Sequence, residues 1–117
     1  MNRRLLILTM LAWLSNVRLA HWQADTLTNT HRVLGDLYDG MDGFLDEFAE
    51  VDMGHEGNTD FPADQAIALT VKADLGALMA VGLSTVAQLR EGVDNDLSKI
   101  LDEMQALINR TKFLLKV

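Results

Sequence analysis

The sequence predicts an all-α four-helix bundle, and three observations predict it. A single proline, Pro62, interrupts 117 residues. Apolar residues recur at spacings of three and four rather than two, and no turn-bounded alternating run offers a β-strand. Four amphipathic stretches of similar length can bury their apolar faces only against one another, which is a bundle. The length suits one domain with one core, and folding should bury roughly 65% of the extended chain's surface, enough to hold without disulfide or metal.

The first helix is expected over about 3–23, with Leu6, Met10, Leu14, Val17 and His21 along one face and Leu8, Leu11 and Trp22 widening it. Its start, a short basic stretch before an apolar run, resembles a secretory signal. Arg18 nevertheless occupies the position two before Ala20, where cleavage wants a small residue, and the uncharged run Leu5–Val17 is short of the ~20 residues of a membrane span. It reads as a helix of the mature domain. Thr26 and Thr28 can cap a second helix over about 28–52, carrying Leu34, Tyr38, Met41, Leu45 and Phe48. Gly35, Gly40 and Gly43 weaken it by up to ~1 kcal/mol each and allow close backbone approach. The breakers of MGHEGNTDFP, with Asp60 or Thr59 before Pro62, announce a third helix over about 62–91. Its uncharged stretch LGALMAVGLSTVA is a buried helix by length. Gly92 ends it, and Asp94 or Asp96 caps a fourth helix over about 95–116 with a one-sided stripe from Leu97 to Leu115. Between the second and third helices both a long crossover and a simple up-down-up-down path remain open.

Composition removes several functions. With no cysteine, disulfide frameworks, thiol catalysis and thiolate metal sites are excluded, so any metal must use His, Asp, Glu or carbonyl oxygen. Ten Lys and Arg against seventeen Asp and Glu give a net charge of −7, the wrong sign for a broad grip on a phosphate backbone. Asp94 and Asp96 open like a calcium loop, but Lys99 stands where its glycine belongs and Gln105 where its bidentate Glu belongs. His55 and Glu56 open an HExxH pattern that Thr59 does not close. No phosphate-binding glycine loop or nucleophile elbow is present. The methionines sit at helical positions and read as core filling.

The remaining polar signal lies on the first two helices. His21 ends the apolar stripe of the first, and His31 opens the second. Asp42, Asp46 and Glu50 follow at spacings of four. At about 100° per residue these acids drift slowly away from His31 around the helix, forming one stripe. Imidazole nitrogen and carboxylate oxygen are the donors that iron accepts in di-iron bundles, whereas the plain alternative is a core histidine beside a solvated acidic face. Between Arg32 and Lys72 there is no basic residue and there are ten acidic ones, among them Asp36, Asp39 and Asp52. Such a run repels itself unless water, cations or a basic partner screens it.

At these same residues, in AHWQADTLTNTHRVLGDLYDGMDGFLDEFAE, the sequence resembles the Dps-type miniferritins, and more closely a family of small phage-encoded ferritin-like proteins. His21 with Trp22, His31, and Asp46 with Glu50 match the family's pattern, and LSKILDEMQALINRTKFLLKV resembles the final helix of the phage proteins. The likeness covers residues 17–52 and 94–116. It implies a ferritin-like bundle whose iron site, with two irons, lies between two-fold-related subunits. His21 and His31 would come from one chain and Asp46 and Glu50 from its neighbour, with Asp36, Asp39 and Asp42 as weaker or replacement ligands. It also implies oxidation of Fe²⁺ by oxygen or peroxide in a homo-oligomer, in a bacterial or phage-infected cytoplasm or in a virion among other virion proteins, with no membrane. The chain departs from the family in three ways. Gly35 replaces the family's Asp one turn after the second histidine, the two histidines stand closer together, and the long middle connection and the lysine-rich DNA-binding tail are missing. The competing expectation is a non-catalytic phage structural or assembly protein on the same bundle.

Overall fold

In a computed structural model that describes residues 2–63 and 68–117, the chain forms four helices and, among the described residues, no strand. They are α1 (Arg3–Gln23), α2 (Asn29–Glu56), α3 (Leu75–Leu89) and α4 (Asn95–Leu115). Each begins where a short polar side chain can satisfy free backbone N–H groups. Asn2 accepts from the Arg4 N–H at 2.8 Å, Thr28 from the His31 N–H at 3.3 Å and Asp74 from the Ala77 N–H at 3.0 Å. Asp94 holds the corresponding position before α4 without a side-chain cap bond. The second helix runs one turn past its expected end at Asp52, because the stop is Gly57, whose φ of 70° closes the helix with its N–H on the Met53 carbonyl.

The helices pack in a ring in which α1 touches α2 and α3, and α4 touches α2 and α3, leaving α2 and α3 diagonal. Three contacts give the directions. The Arg3 guanidinium donates to the Gly92 carbonyl at 3.3 Å, the Trp13 indole to the Leu78 carbonyl at 2.8 Å, and the Asn29 amide to the Leu114 carbonyl at 3.5 Å. So α1 and α4 run one way and α2 and α3 the other, and the chain must travel the length of the bundle between α2 and α3. Arg4 donates to the carbonyls of Asp60 at 2.6 Å and Asn58 at 3.2 Å at one end of that path. Toward the other end Asn16 bonds both Ala68 O and Thr70 N, and Gln23 accepts from the Lys72 N–H.

This crossover corrects the expected third helix, which starts at Leu75 and not at 62. Described residues 62, 63 and 68–74 are not helical, and residues 64–67 of that expectation lie outside the described ones. The reason is reach. A helix beginning at 62 would leave five residues, roughly 18 Å of extended chain, to follow α1 over about 31 Å, whereas residues 57–74 span it easily.

The core draws on all four helices, with Val17, Leu34, Phe48, Met79, Leu101 and Ile108 almost fully buried. Met10, Met41, Met79 and Met104 are buried there too, as expected of core filling. Gly82 admits the Trp13 ring, since a Cβ at that position would stand 2.5 Å from the indole. By length and composition α1 is apolar enough to cross a membrane. In this fold Leu6, Met10, Trp13, Leu14 and Val17 face the other helices while Leu11 and Trp22 stay exposed, and the two arginines of the first turn are engaged.

That engagement is the main electrostatic feature of the core. Asp52, expected within a solvated acidic run, is 1% exposed and takes Arg3 Nη1 at 2.8 Å on one oxygen and Arg4 Nε at 2.7 Å on the other. Burial by itself would raise the Asp52 pKa, but the hydrogen bonds and charges of the two arginines outweigh it and hold the carboxyl below its usual range. Arg4 also lies over the Phe61 ring at 5.1 Å, so one side chain ties α1, α2 and the start of the crossover together.

Candidate functional site

The short turn between α1 and α2 brings His21 and His31 face to face. Their rings stack with centroids 3.9 Å apart and planes 26° from parallel. Each ring bonds the other residue's backbone: His21 Nδ1 lies 2.6 Å from the His31 carbonyl, and His31 Nδ1 lies 2.8 Å from the His21 carbonyl. A carbonyl only accepts, so both Nδ1 atoms carry the hydrogen. Both Nε2 atoms are then left with a lone pair for a proton or metal whenever the ring is neutral, and among the described residues no hydrogen bond uses them.

Asp46 and Glu50 form the second group. One helical turn apart and exposed, the two carboxyls lie near enough that hydrogen bonding to Asp46 and the Asp46 charge raise the Glu50 pKa from its ordinary value. Two neighbouring carboxyls repel each other when both are ionised, and a cation between them would relieve that repulsion. The two groups are not together within the chain. Fifteen residues of α2 separate His31 from Asp46, about 22 Å along the axis. Among the described residues no three His, Asp or Glu side chains gather as a bound metal requires.

One member of each group, His21 and Asp46, nevertheless lines a hollow on the same flank, the outer groove between α1 and α2. At the histidine end a hollow of about 340 Å³ is lined by His21, Gly35, Arg18, Trp22, Tyr38, Asp36 and Asp39, which places two of the weaker candidates beside His21. Asp36 also faces Arg32 at 3.7 Å. At the other end a cavity of about 280 Å³ is lined by Leu8, Leu11, Leu45 and Phe61 together with Asp42 and Asp46. Trp22, expected to widen the apolar face of its helix, is instead 64% exposed. Sequence reasoning missed Arg18. Its guanidinium lies 4.8 Å from the Tyr38 ring and 5.3 Å from the Trp22 ring and donates to the Tyr38 hydroxyl at 3.0 Å, with no carboxylate partner among the described residues. The signal was there in the spacing of Leu8, Leu11, Ser15, Arg18 and Trp22, a heptad-like stripe on one side of α1.

The incomplete calcium and HExxH motifs meet elsewhere, in a structural role. His55 Nε2 lies 2.8 Å from Asp96, and its Nδ1 lies 3.6 Å from Asp94, so the two acids face opposite sides of the ring and do not converge. The clasp joins the end of α2 to the start of α4. The hydrogen bond to Asp96 raises the His55 pKa and lowers that of Asp96. A histidine with a raised folded pKa stabilises fully below its unfolded value and loses that contribution as pH rises through the folded one. Thermal unfolding of His55→Ala should therefore fall below that of the native chain at pH 5.5, with the gap closing on the alkaline side.

No protein-family model matches this chain, nor does any curated protein or solved structure. Its chemistry has to be read from its own residues.

Proposed function

We propose that the protein is a Dps-like iron-binding oligomer in which Fe²⁺ is the substrate. The observation that carries this reading is the split donor set. Two imidazole Nε2 atoms stand at one end of the α1–α2 flank and the neighbouring Asp46 and Glu50 carboxyls at the other, each incomplete alone. A second copy laid antiparallel across this flank brings His21 and His31 of one chain to Asp46 and Glu50 of the partner subunit. Charge favours the arrangement, because the Arg18 end then meets the acidic end, and apolar Leu8 and Leu11 lie between. The crossover between the second and third helices is also the connection found in ferritin-like bundles.

The donors suit the chemistry. Imidazole holds the ferrous ion, carboxylates lower the cost of the ferric charge, and the oxidant is oxygen or peroxide. The lock on both Nδ1 atoms fixes the tautomer that leaves Nε2 as the ligand. The net charge of −7 speaks against compaction of DNA.

The test is Fe²⁺ added anaerobically to purified protein, followed by oxygen or peroxide, with ferric absorbance read against the Asp46→Ala, Glu50→Ala double variant. The expected result is rapid oxidation that falls more than about tenfold in a variant that stays helical. Equal rates in native protein, variant and buffer would defeat the reading. One observation favours a second reading, that of a non-catalytic phage structural or assembly bundle: the His21–His31 lock already joins α1 to α2 without any metal. That reading predicts assembly of the same oligomer with no iron chemistry in it.

A further inference from the structure

We propose that Gly35 is a positioning residue for the histidine pair, a slot in α2 in which the His21 ring sits, and not the trace of a lost ligand. A Cβ at position 35 would stand 2.8 Å from His21 Cε1 and 3.2 Å from His21 Nδ1, closer than side-chain atoms pack. The ring has no inexpensive retreat. Its Nδ1 is fixed on the His31 carbonyl at 2.6 Å and its face on the His31 ring at 3.9 Å, so making room means giving up one or both. A glycine in the second turn of a helix is a cost unless something uses the space. Here the edge of the imidazole uses it. An acidic residue at this position and a His21 ring in its present place exclude each other, so this chain has exchanged one possible carboxylate for a fixed nitrogen.

The inference deepens the iron reading by naming what sets one of its ligands, but its first readouts do not depend on iron. Gly43 supplies the control, since it lies on the same helix and a Cβ there would meet nothing within 4 Å. Gly43→Ala should raise the melting temperature by about 4 °C or more, the helix-propensity gain alone. Gly35→Ala should forfeit that rise in the native background and recover it in a His21→Ala background, where the slot is empty. Imidazole ¹⁵N spectra of the native chain should show both rings with hydrogen on Nδ1. In Gly35→Ala the His21 signal should move to the mixed tautomers of a free ring, while Gly43→Ala leaves it in place. Fe²⁺ binding should then fall in Gly35→Ala by the same factor as in His21→Ala.

An equal rise for the two alanine variants in the native background, with the His21 spectrum unchanged, would overturn the proposal. If the native protein binds no Fe²⁺, the iron reading fails, and the spectra and melting temperatures still decide the role of Gly35. If Gly35→Ala does not fold alone, its recovery in the His21→Ala background supports the proposal and its failure there overturns it.

Discussion

Replacing Asp52 by alanine should destabilise the bundle by about 3–5 kcal/mol, the range expected when one member of a buried ion pair is removed and its partners stay behind. Arg4 is 8% exposed and cannot turn to water without releasing the Asn58 and Asp60 carbonyls, so its charge would be left in the core. A loss of about that size is a large part of the roughly 5–15 kcal/mol that holds a typical domain. The pH dependence follows from the lowered Asp52 pKa. A carboxyl depressed in the folded state stabilises above its unfolded value and loses that contribution as pH falls through the folded one. The gap between native and Asp52→Asn unfolding free energies in urea should therefore be constant from neutral pH to about pH 4 and narrow below it. A cost under about 1 kcal/mol for Asp52→Ala would mean that the arginines find other partners.

The second large effect concerns the site proposed to form between two chains. A chain carrying His21→Ala and His31→Ala should oxidise no iron, and neither should one carrying Asp46→Ala and Glu50→Ala. Produced together, they should regain about one quarter of the native rate. Random pairing makes half of the two-fold dimers mixed, and each mixed dimer holds one intact site out of two. Complementation has this outcome only if the donors come from different chains, since roughly 22 Å separates His31 from Asp46 within one chain. Ferric absorbance after co-expression measures it directly. No recovery from active, well-mixed oligomers would rule out a site shared across this interface.

The helices were legible in the sequence because period and caps agree: α1 has its expected bounds, and Thr28 and Asp94 stand where helix starts were expected. The start of α3 was not. Pro62 after Asp60 is a good local start signal, and only the need to carry the chain back along α1 overrides it, a demand that no local window contains. Asp52 was hidden for a related reason. Within its own neighbourhood it is one more acid in a run, and its partners Arg3 and Arg4 lie 49 and 48 residues earlier, where they look like the basic start of a secretion signal. His21, His31, Asp46 and Glu50 could be picked out by residue type and spacing. The reciprocal ring-to-carbonyl bonds could not, since they depend on how tightly five residues turn between α1 and α2. Nor could the fit of Gly35 against the His21 ring, which depends on how α1 lies on α2.

The two ways in which the chain reverses direction differ in what they tolerate. The α1–α2 turn, residues 24–28, and the α3–α4 turn, residues 90–94, are five residues each and are pinned by side chains that meet across them, the histidine lock at one and Arg90 with Asp102 and Gln105 at the other. The path from 57 to 74 is held to α1 near its two ends instead, by Arg4 at one and by Asn16 and Gln23 at the other, and doubling the length of a connection costs only about 0.6 kcal/mol. Insertions and deletions are therefore expected to collect in that path. The molecule can lengthen or shorten there by several residues while the distance from His31 to Asp46 and Glu50 stays fixed by one unbroken helix, with His21 held to it by the ring lock.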